Sequence, residues 1–589
     1  MGKQVRSREY IFVILSYIFL TSLFTYPMIF KINVLYNFNK KDYLFNIWNL
    51  WWVKEALFKH MIMPYKTDYI FYPVGTTLAF HTMNMYNYII SLPIQLFTSR
   101  TAAYNILFLH TFILSAFGCY LLVRYLTKNK MGAFIGGIIF AFSIFHQEEY
   151  ARINVATIQW IPLFCLFFIK LIKDGGFKNC FLSATFLSLI AFSFWEYFIF
   201  TFFIIIIFLI YYYKNTLKTD FIKMFFVMLC ISAILVTPFI YPLIKELLHR
   251  GEYLYAPLSS YTQLLGLMPS KEFGLYSWPT VLGYTVLTLC IYFIFKLRRE
   301  DTCVWLIATC VFFVFALGPH LIIFNKDFRG IPLPFEILKN IPVVQVIRTP
   351  HRFLSFVTLG TAVMVGFVIS EIVMKKNYKF VVFLIIGLVI LEYLAIPRTT
   401  FSQIKIPDIY KKIANDKEDY VVVDAPLNDF GGAYSMYYQT IHGKKVVGGY
   451  VARTPLYSKY FIENNPILHL LAEPGNYYTV NLTEKEISES LDNLNKNGIK
   501  YVIIHKNLMV KKSFQKVKES QRNIISDMFF PYSVNKHRIE VWRGESERGD
   551  YQKVFMDESG FNDFIAYLNK ILSNPVSEDE MVVVYEIRK

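Results

Sequence analysis

Charge is what this sequence has least of. Asp, Glu, Lys and Arg make up only 17% of 589 residues, where a water-soluble globule carries about a quarter. Hydrophobic residues reach 55% and aromatics 18%, so the deficit points to lipid as the solvent. Cysteine is missing where it could staple a domain. All seven cysteines (Cys119, Cys165, Cys180, Cys230, Cys290, Cys303 and Cys310) lie in or beside apolar runs, and none follows Cys310. That excludes a disulfide framework or a zinc spacing in the C-terminal part and leaves the thiols as small apolar groups. Also absent are a P-loop, a G-x-S-x-G elbow and an H-E-x-x-H pair, and with them the chemistry those motifs carry. There is no internal repeat and no low-complexity tract.

What is present is a succession of apolar runs. Crossing a bilayer takes about 20 residues of helix. Eleven runs qualify, at 10–30, 102–123, 131–147, 155–172, 179–195, 197–213, 221–244, 278–295, 303–324, 353–374 and 379–397. A twelfth, 84–99, is short and contains Pro93; it reads as a re-entrant or surface helix, with a full span as the alternative. The run from Tyr10 to Phe30 is too long for a signal-peptide core and lacks a small-residue cleavage site, so it reads as a retained anchor. Basic residues fix the orientation. With eleven spans, Lys3, Arg6 and Arg8 fall on the same side as Arg124, Lys128 and Lys130, as Lys214, Lys218 and Lys223, and as Lys296, Arg298 and Arg299. The N-terminus is therefore expected in the cytoplasm and the C-terminal domain outside, in a multi-pass protein of the cell membrane. The net charge of +17 sits in these short loops, because the stretch after Arg398 is close to neutral. It therefore reads as topology signal and lipid-headgroup contact, with no nucleic-acid partner.

The expected fold is mainly α: a polytopic helical bundle over 1–398, with a long first outer loop at 31–101, followed by an extracytoplasmic α/β domain over 399–589. In the latter, Val421–Val423, Tyr501–Ile504 and Met581–Ile587 read as strands. Thr483 to Asn497 reads as a helix, capped by Thr483 with Glu486 closing a capping box and ended by Gly498. The outer segments 31–101, 245–277 and 325–352 are long and rich in Pro, Tyr, Trp and His, and long loops in a compact architecture usually carry function.

Candidate site residues come from those loops. Asp42 lies in Lys40-Lys41-Asp42-Tyr43, ahead of Trp48 and Trp51-Trp52. Its aromatic surroundings fit an interfacial belt, and an acid there could act as general base or metal ligand, or be a solvated loop acid. The second outer loop, His146-Gln147-Glu148-Glu149-Tyr150-Ala151-Arg152, is dense in ionisable groups; Glu148 or Glu149 could face Asp42 across a cavity, giving two carboxylates for base and cation roles. Arg250, in His249-Arg250-Gly251-Glu252, and Arg348, His351 and Arg352, in Arg348-Thr349-Pro350-His351-Arg352-Phe353, are candidate phosphate ligands, with structural lipid binding as the plain alternative. His81 and Asp68 are weaker candidates, since a lone polar residue in a long loop is more often merely exposed. Glu196 sits at an outer turn, where it is either functional or simply solvated. Gly132-x-x-x-Gly136 fits close helix packing.

Together these features resemble the GT-C class of membrane glycosyltransferases, in particular the bacterial and archaeal proteins related to family 39. The residues that carry the resemblance are Asp42 before Trp48 and Trp51-Trp52, the Tyr120-Leu121-Leu122-Val123-Arg124-Tyr125-Leu126-Thr127 end of a span, the His146–Arg152 loop, the Arg348–Phe353 run, and Tyr437-Tyr438-Gln439-Thr440-Ile441-His442-Gly443-Lys444. The resemblance implies an enzyme that moves a sugar from a polyprenyl-phosphate donor to a glycan, lipid or protein acceptor on the outer face. It gives the role of catalytic base to Asp42 and a second acidic role to Glu148 or Glu149. His146, Arg152, Arg250, Arg348, His351 and Arg352 would bind substrate. A divalent cation is the cofactor the acids would suit, although Asp42 lacks the paired acid of the metal-binding form. The alternatives are a lipid or polysaccharide transporter, which would put charges deep in the spans, and a non-catalytic cell-envelope assembly protein.

Overall fold

The computed structural model describes residues 2–35, 41–249, 262–263, 276–277, 282–296, 300–323, 326–338, 340–341, 344, 347–375, 378–394, 404–474, 477, 480–510, 556 and 558–587. The protein is mainly helical and multi-pass. Each of the eleven apolar runs carries a helix, but they differ in length from the expectation. Among the described residues six stretches are long and apolar enough to cross a membrane: Ser7–Phe24, Arg100–Thr127, Lys130–Ala151, Ile153–Asp174, Thr219–Glu246 and Pro350–Ile372. The apolar helices Phe177–Ser193, Trp195–Tyr211, Tyr284–Lys296 and Thr302–Ala316 are shorter, as is Tyr378–Tyr393. The run expected to be one span at 131–147 ends its first helix at Ala141, and a separate short helix, Ile144–Glu148, begins behind the Ser143 cap. That break lets the chain turn inward just where the ionisable loop starts.

The Leu354–Ile372 helix is the hub, packed against Lys130–Ala141, Glu300–Ala316 and Tyr284–Lys296. Gly132 explains one of these contacts: a Cβ there would stand 2.4 Å from the Gly366 carbonyl oxygen, so the two backbones meet as the small-residue spacing predicts. At the same end of the bundle Glu9 ties the first helix down, with its carboxylate 2.6 Å from Lys130 and 3.5 Å from Arg124 and accepting from the Tyr120 hydroxyl at 2.6 Å.

The segment after the first helix is not a loose loop. Lys41–Lys54 is a helix in which every residue from Tyr43 to Val53 is buried. The interfacial-belt expectation is thereby corrected: Trp48 and Trp52 stack 5.8 Å apart, and the helix packs against a second one, Asp429–His442, from the C-terminal part. The Trp48 indole donates to Gln439 Oε1 at 2.6 Å, and Gln439 donates in turn to the carbonyls of Tyr69 and Lys444 at 2.6 and 2.9 Å. Polar partners of this kind are what allow an aromatic-rich helix to be enclosed on all sides. The 84–99 run forms a ten-residue helix, Met85–Ile94, with Asn84 as cap and Pro93 in its last turn. It is too short to span, and it buries Met85, Tyr88 and Ser91 while Ile89 and Ile90 stay exposed.

The C-terminal part is a small sheet domain. Its strands are β1 (Val421–Ala425), β2 (Lys445–Val446), β3 (Ile499–His505), β4 (Ser577–Glu578) and β5 (Val582–Glu586), in spatial order β4-β5-β3-β1-β2. β1 runs parallel to β2 and β3, while β5 is antiparallel to β3. β1 is buried along its whole length, as the unbroken Val421–Val423 run suggests. The Glu484–Lys496 helix starts with both bonds of the capping box between Thr483 and Glu486 and is followed by Gly498 at φ +70°.

Candidate active site

Where the Lys41–Lys54 helix begins, the chain brings together side chains from five separate segments. Asp42 stands in the first turn of that helix. The turn is fixed from below: the Asn46 amide donates to the Asp42 carbonyl at 2.7 Å and to the Ala151 carbonyl at 3.2 Å, and Tyr43 stacks on Tyr150 with ring centroids 5.2 Å apart. The first and second loops of the sequence are therefore one structure.

The Asp42 carboxylate accepts from the Tyr450 hydroxyl at 3.3 Å. Its neighbour Lys41 lies 4.3 Å from the centre of the Tyr450 ring and 3.9 Å from Asp429. Arg348 is half-buried and lies within electrostatic range of Asp42, Glu196 and Tyr450. Burial pushes its pKa down, with the charge of Arg352 adding to the effect, yet a guanidinium starting from so high a value stays charged. Among the described residues no hydrogen bond or ion pair holds Arg348.

Arg352 is different. Its guanidinium is 2.6 Å from Glu196 and 5.1 Å over the Phe194 ring, with both charged side chains about one-tenth exposed. Glu196 is thus no solvated turn acid. Glu149 is buried and lies 2.7 Å from Arg152 and 3.7 Å from His351, with Arg352 also in range. The Glu149 carboxylate is thus bracketed by cationic and imidazole groups. Glu148 is half-buried at the end of its short helix. His146 is fully buried, with ring nitrogens 2.7 Å from the Ala141 carbonyl and 2.8 Å from the Ala156 carbonyl, so it closes the loop on itself. Arg250 falls outside the described residues. Among the described residues no three His, Cys, Asp or Glu side chains gather as a metal site. A divalent ion at Glu149 would have to displace Arg152 and sit against His351 and Arg352, so the donor set does not suit one.

Sequence reasoning missed Tyr450 altogether. Only the Gly448-Gly449 pair before it hinted at a tightly routed segment. It also took His81 for an exposed residue. His81 is buried; its Nδ1 accepts from the Ala452 amide at 3.0 Å, and burial lowers its pKa to about 3, which keeps it a neutral acceptor.

No protein-family model matches this chain, and no curated protein matches it by sequence. Among solved structures it is similar to the archaeal oligosaccharyltransferase AglB from Archaeoglobus fulgidus, in complex with an inhibitory peptide and a dolichol-phosphate. That match covers 85% of this chain and 70% of that one at a TM-score of 0.52 and 11% identity. A second structure of the Archaeoglobus fulgidus oligosaccharyltransferase, tethered with an acceptor peptide containing the NVT sequon, aligns over 85% of this chain and 69% of that one at a TM-score of 0.48 and 11% identity. The first match carries a likeness of fold: the chain has the fold of that archaeal oligosaccharyltransferase.

Proposed function

We propose that this protein transfers a sugar from a polyprenyl-phosphate-linked donor to a hydroxyl or amine acceptor, on the membrane face that bears the sheet domain. By the distribution of basic residues that face is extracytoplasmic and the N-terminus is cytoplasmic, with the helical bundle over 1–398 and the sheet domain over 399–589. The observation that carries the reading is that Asp42 and Arg348, a carboxylate and a guanidinium of opposite roles drawn from distant segments, lie within electrostatic range of each other in a fold like that of a membrane glycosyltransferase.

Asp42 takes the proton of the acceptor O–H or N–H as that atom bonds to the anomeric carbon. The bond from that carbon to the phosphate oxygen breaks, and the polyprenyl phosphate leaves with the electron pair. Arg348, which makes no ion pair with a carboxylate among the described residues, receives the negative charge on the leaving phosphate. The attack comes from the face opposite the leaving group, so the anomeric centre is inverted. Arg352 with Glu196, and Glu149 with Arg152 and His351, form the rigid polar wall that aims Arg348. His146 shapes the loop. The archaeal oligosaccharyltransferase of similar fold is in complex with a dolichol-phosphate, which supports a lipid-linked donor as the substrate class.

The test is transfer from purified polyprenyl-phosphate sugars by the wild-type chain and by Asp42→Ala at matched folded yield. Loss of a positioned general base is expected to cost about 10²–10⁴-fold in rate. Equal rates would remove Asp42 from the mechanism, and an inert wild type across a broad donor and acceptor panel would overturn the reading.

A further inference from the structure

We propose that Tyr450, carried in from the C-terminal sheet domain, is the positioning residue for Asp42: its hydroxyl holds carboxylate oxygen Oδ1, so that Oδ2 is the oxygen left to face the acceptor. This rests on the transferase reading for its purpose, though not for its geometry.

The placement of Tyr450 is over-determined. Its strap runs from Val446 to Ala452 between the first loop and the Asp429–His442 helix. Tyr72 donates to the Val446 carbonyl and Phe71 to the Gly448 carbonyl, each at 3.2 Å, and Val446 donates back to the Tyr69 carbonyl at 2.9 Å. The Tyr450 amide donates to Met436 Sδ at 3.1 Å, and the Ala452 amide to His81 Nδ1 at 3.0 Å. A Cβ on Gly449 would stand 2.8 Å from the Phe71 ring, and one on Gly432 would stand 2.4 Å from the Gly449 carbonyl. Only glycine allows so close a passage. The ring is held by Lys41 on its face and by Phe45, with centroids 5.6 Å apart.

So much fixing of one phenol has a consequence at Asp42. A carboxylate that can rotate presents either oxygen. One pinned by a donor presents a defined lone pair, which saves orientational entropy at the reacting centre. Burial and the nearby Asp42 charge hold the Tyr450 hydroxyl well above its ordinary pKa, so it remains the donor. The other groups facing Asp42 are Lys41, itself shared with Asp429, Arg348 and the Tyr104 phenol. Tyr450 is the one among them for which a hydrogen bond to the Asp42 carboxylate is seen.

Two readouts test this on the full-length chain in lipid nanodiscs. The first is the dependence of transfer rate on pH. The second is labelling of Asp42 by a water-soluble carbodiimide with glycine ethyl ester, followed by mass spectrometry across pH, which needs no turnover. A donor to the charged form favours that form. In Tyr450→Phe, which keeps the ring, the labelling midpoint and the acid limb of the rate profile should both move up by about 0.5–1 pH unit, since a hydrogen bond is worth about 1 kcal/mol. The maximal rate should fall roughly tenfold with the donor KM unchanged, as expected when only the orientation of the base is lost. Replacing Tyr450 by 3,5-difluorotyrosine, a stronger donor of nearly the same shape, should move both midpoints the opposite way, which a packing role cannot do. Unmoved midpoints in an active enzyme overturn the positioning role and leave the transferase intact. Shifted labelling in a chain with no transfer overturns the transferase and leaves the positioning role standing.

Discussion

At the scale of single residues, the two arginines of Arg348-Thr349-Pro350-His351-Arg352 separate into different jobs. Both were legible in the sequence as cations beside a proline. What distinguishes them was not, because it depends on Glu196, which arrives from another helix to take Arg352. Arg352→Ala leaves the Glu196 charge buried and unpaired, and should cost about 3–5 kcal/mol. A large drop in unfolding temperature is expected, and an unchanged one would show that Glu196 had found water. Arg348→Ala should leave stability nearly intact and instead weaken the donor step by about 10–100-fold, the worth of one hydrogen bond to a charged group. The measurement is kcat/KM for the polyprenyl-phosphate sugar against a fixed acceptor. A loss of Tm without a loss of kcat/KM would reverse the two assignments. Glu149 and His146 teach the same lesson: their residue types were singled out correctly as unusual for a short loop, but burial and partners decided that each is enclosed.

At the scale of elements, local signals were read well wherever the physics is local. The Glu484–Lys496 helix could be bounded at both ends from sequence, because a capping box and a glycine beyond the last turn act within a few residues. Thr483→Ala should cost about 1 kcal/mol, visible as a small loss of Tm with no effect on transfer. Three strands of the C-terminal sheet were legible as apolar runs, whereas the two-residue edge strands Lys445–Val446 and Ser577–Glu578 are too short to carry a pattern. The Lys41–Lys54 helix was not legible. A run of tryptophans beside a membrane segment reads equally as an interfacial belt or as a core, and the choice is made by Gln439, far along the chain. Trp48→Phe keeps most of the ring but leaves Gln439 Oε1 without its buried donor, at about 1–3 kcal/mol. Hydrogen exchange in the Asp429–His442 helix should rise in that variant; protection equal to wild type would mean the contact is incidental.

At the scale of the whole molecule, the places of the apolar helices were legible, since each of the eleven apolar runs carries a helix among the described residues. The breaking of one run after Ala141 and the brevity of several helices were not, because neighbouring helices and the inward turn decide them. The same scale governs the response to acid. His81 and His442 are buried outside the membrane helices, with pKa values lowered to about 3 and about 4 by desolvation, against about 6.5 in an unfolded chain. Between about pH 6.5 and 4 the unfolded state binds protons that the folded state refuses, so stability is fully present above that window and falls as pH drops through it. Thermal unfolding followed from pH 8 to pH 4 should show this decline, and a double His81→Gln, His442→Gln variant should show less of it; an equally steep decline in the variant would place the acid sensitivity elsewhere. The enclosed aromatic helix has a further consequence for how the protein is made. Its partner helix begins at Asp429, several hundred residues after Lys54 leaves the ribosome. At about 5–20 residues per second that is a wait on the order of 20–75 s, during which Trp52 has its Pro64 and Tyr69 partners but Trp48 lacks Gln439. The side of the helix that meets Asp429–His442 is therefore completed last, and a chain truncated before Asp429 should expose the Trp48 indole, read as a red shift in its fluorescence.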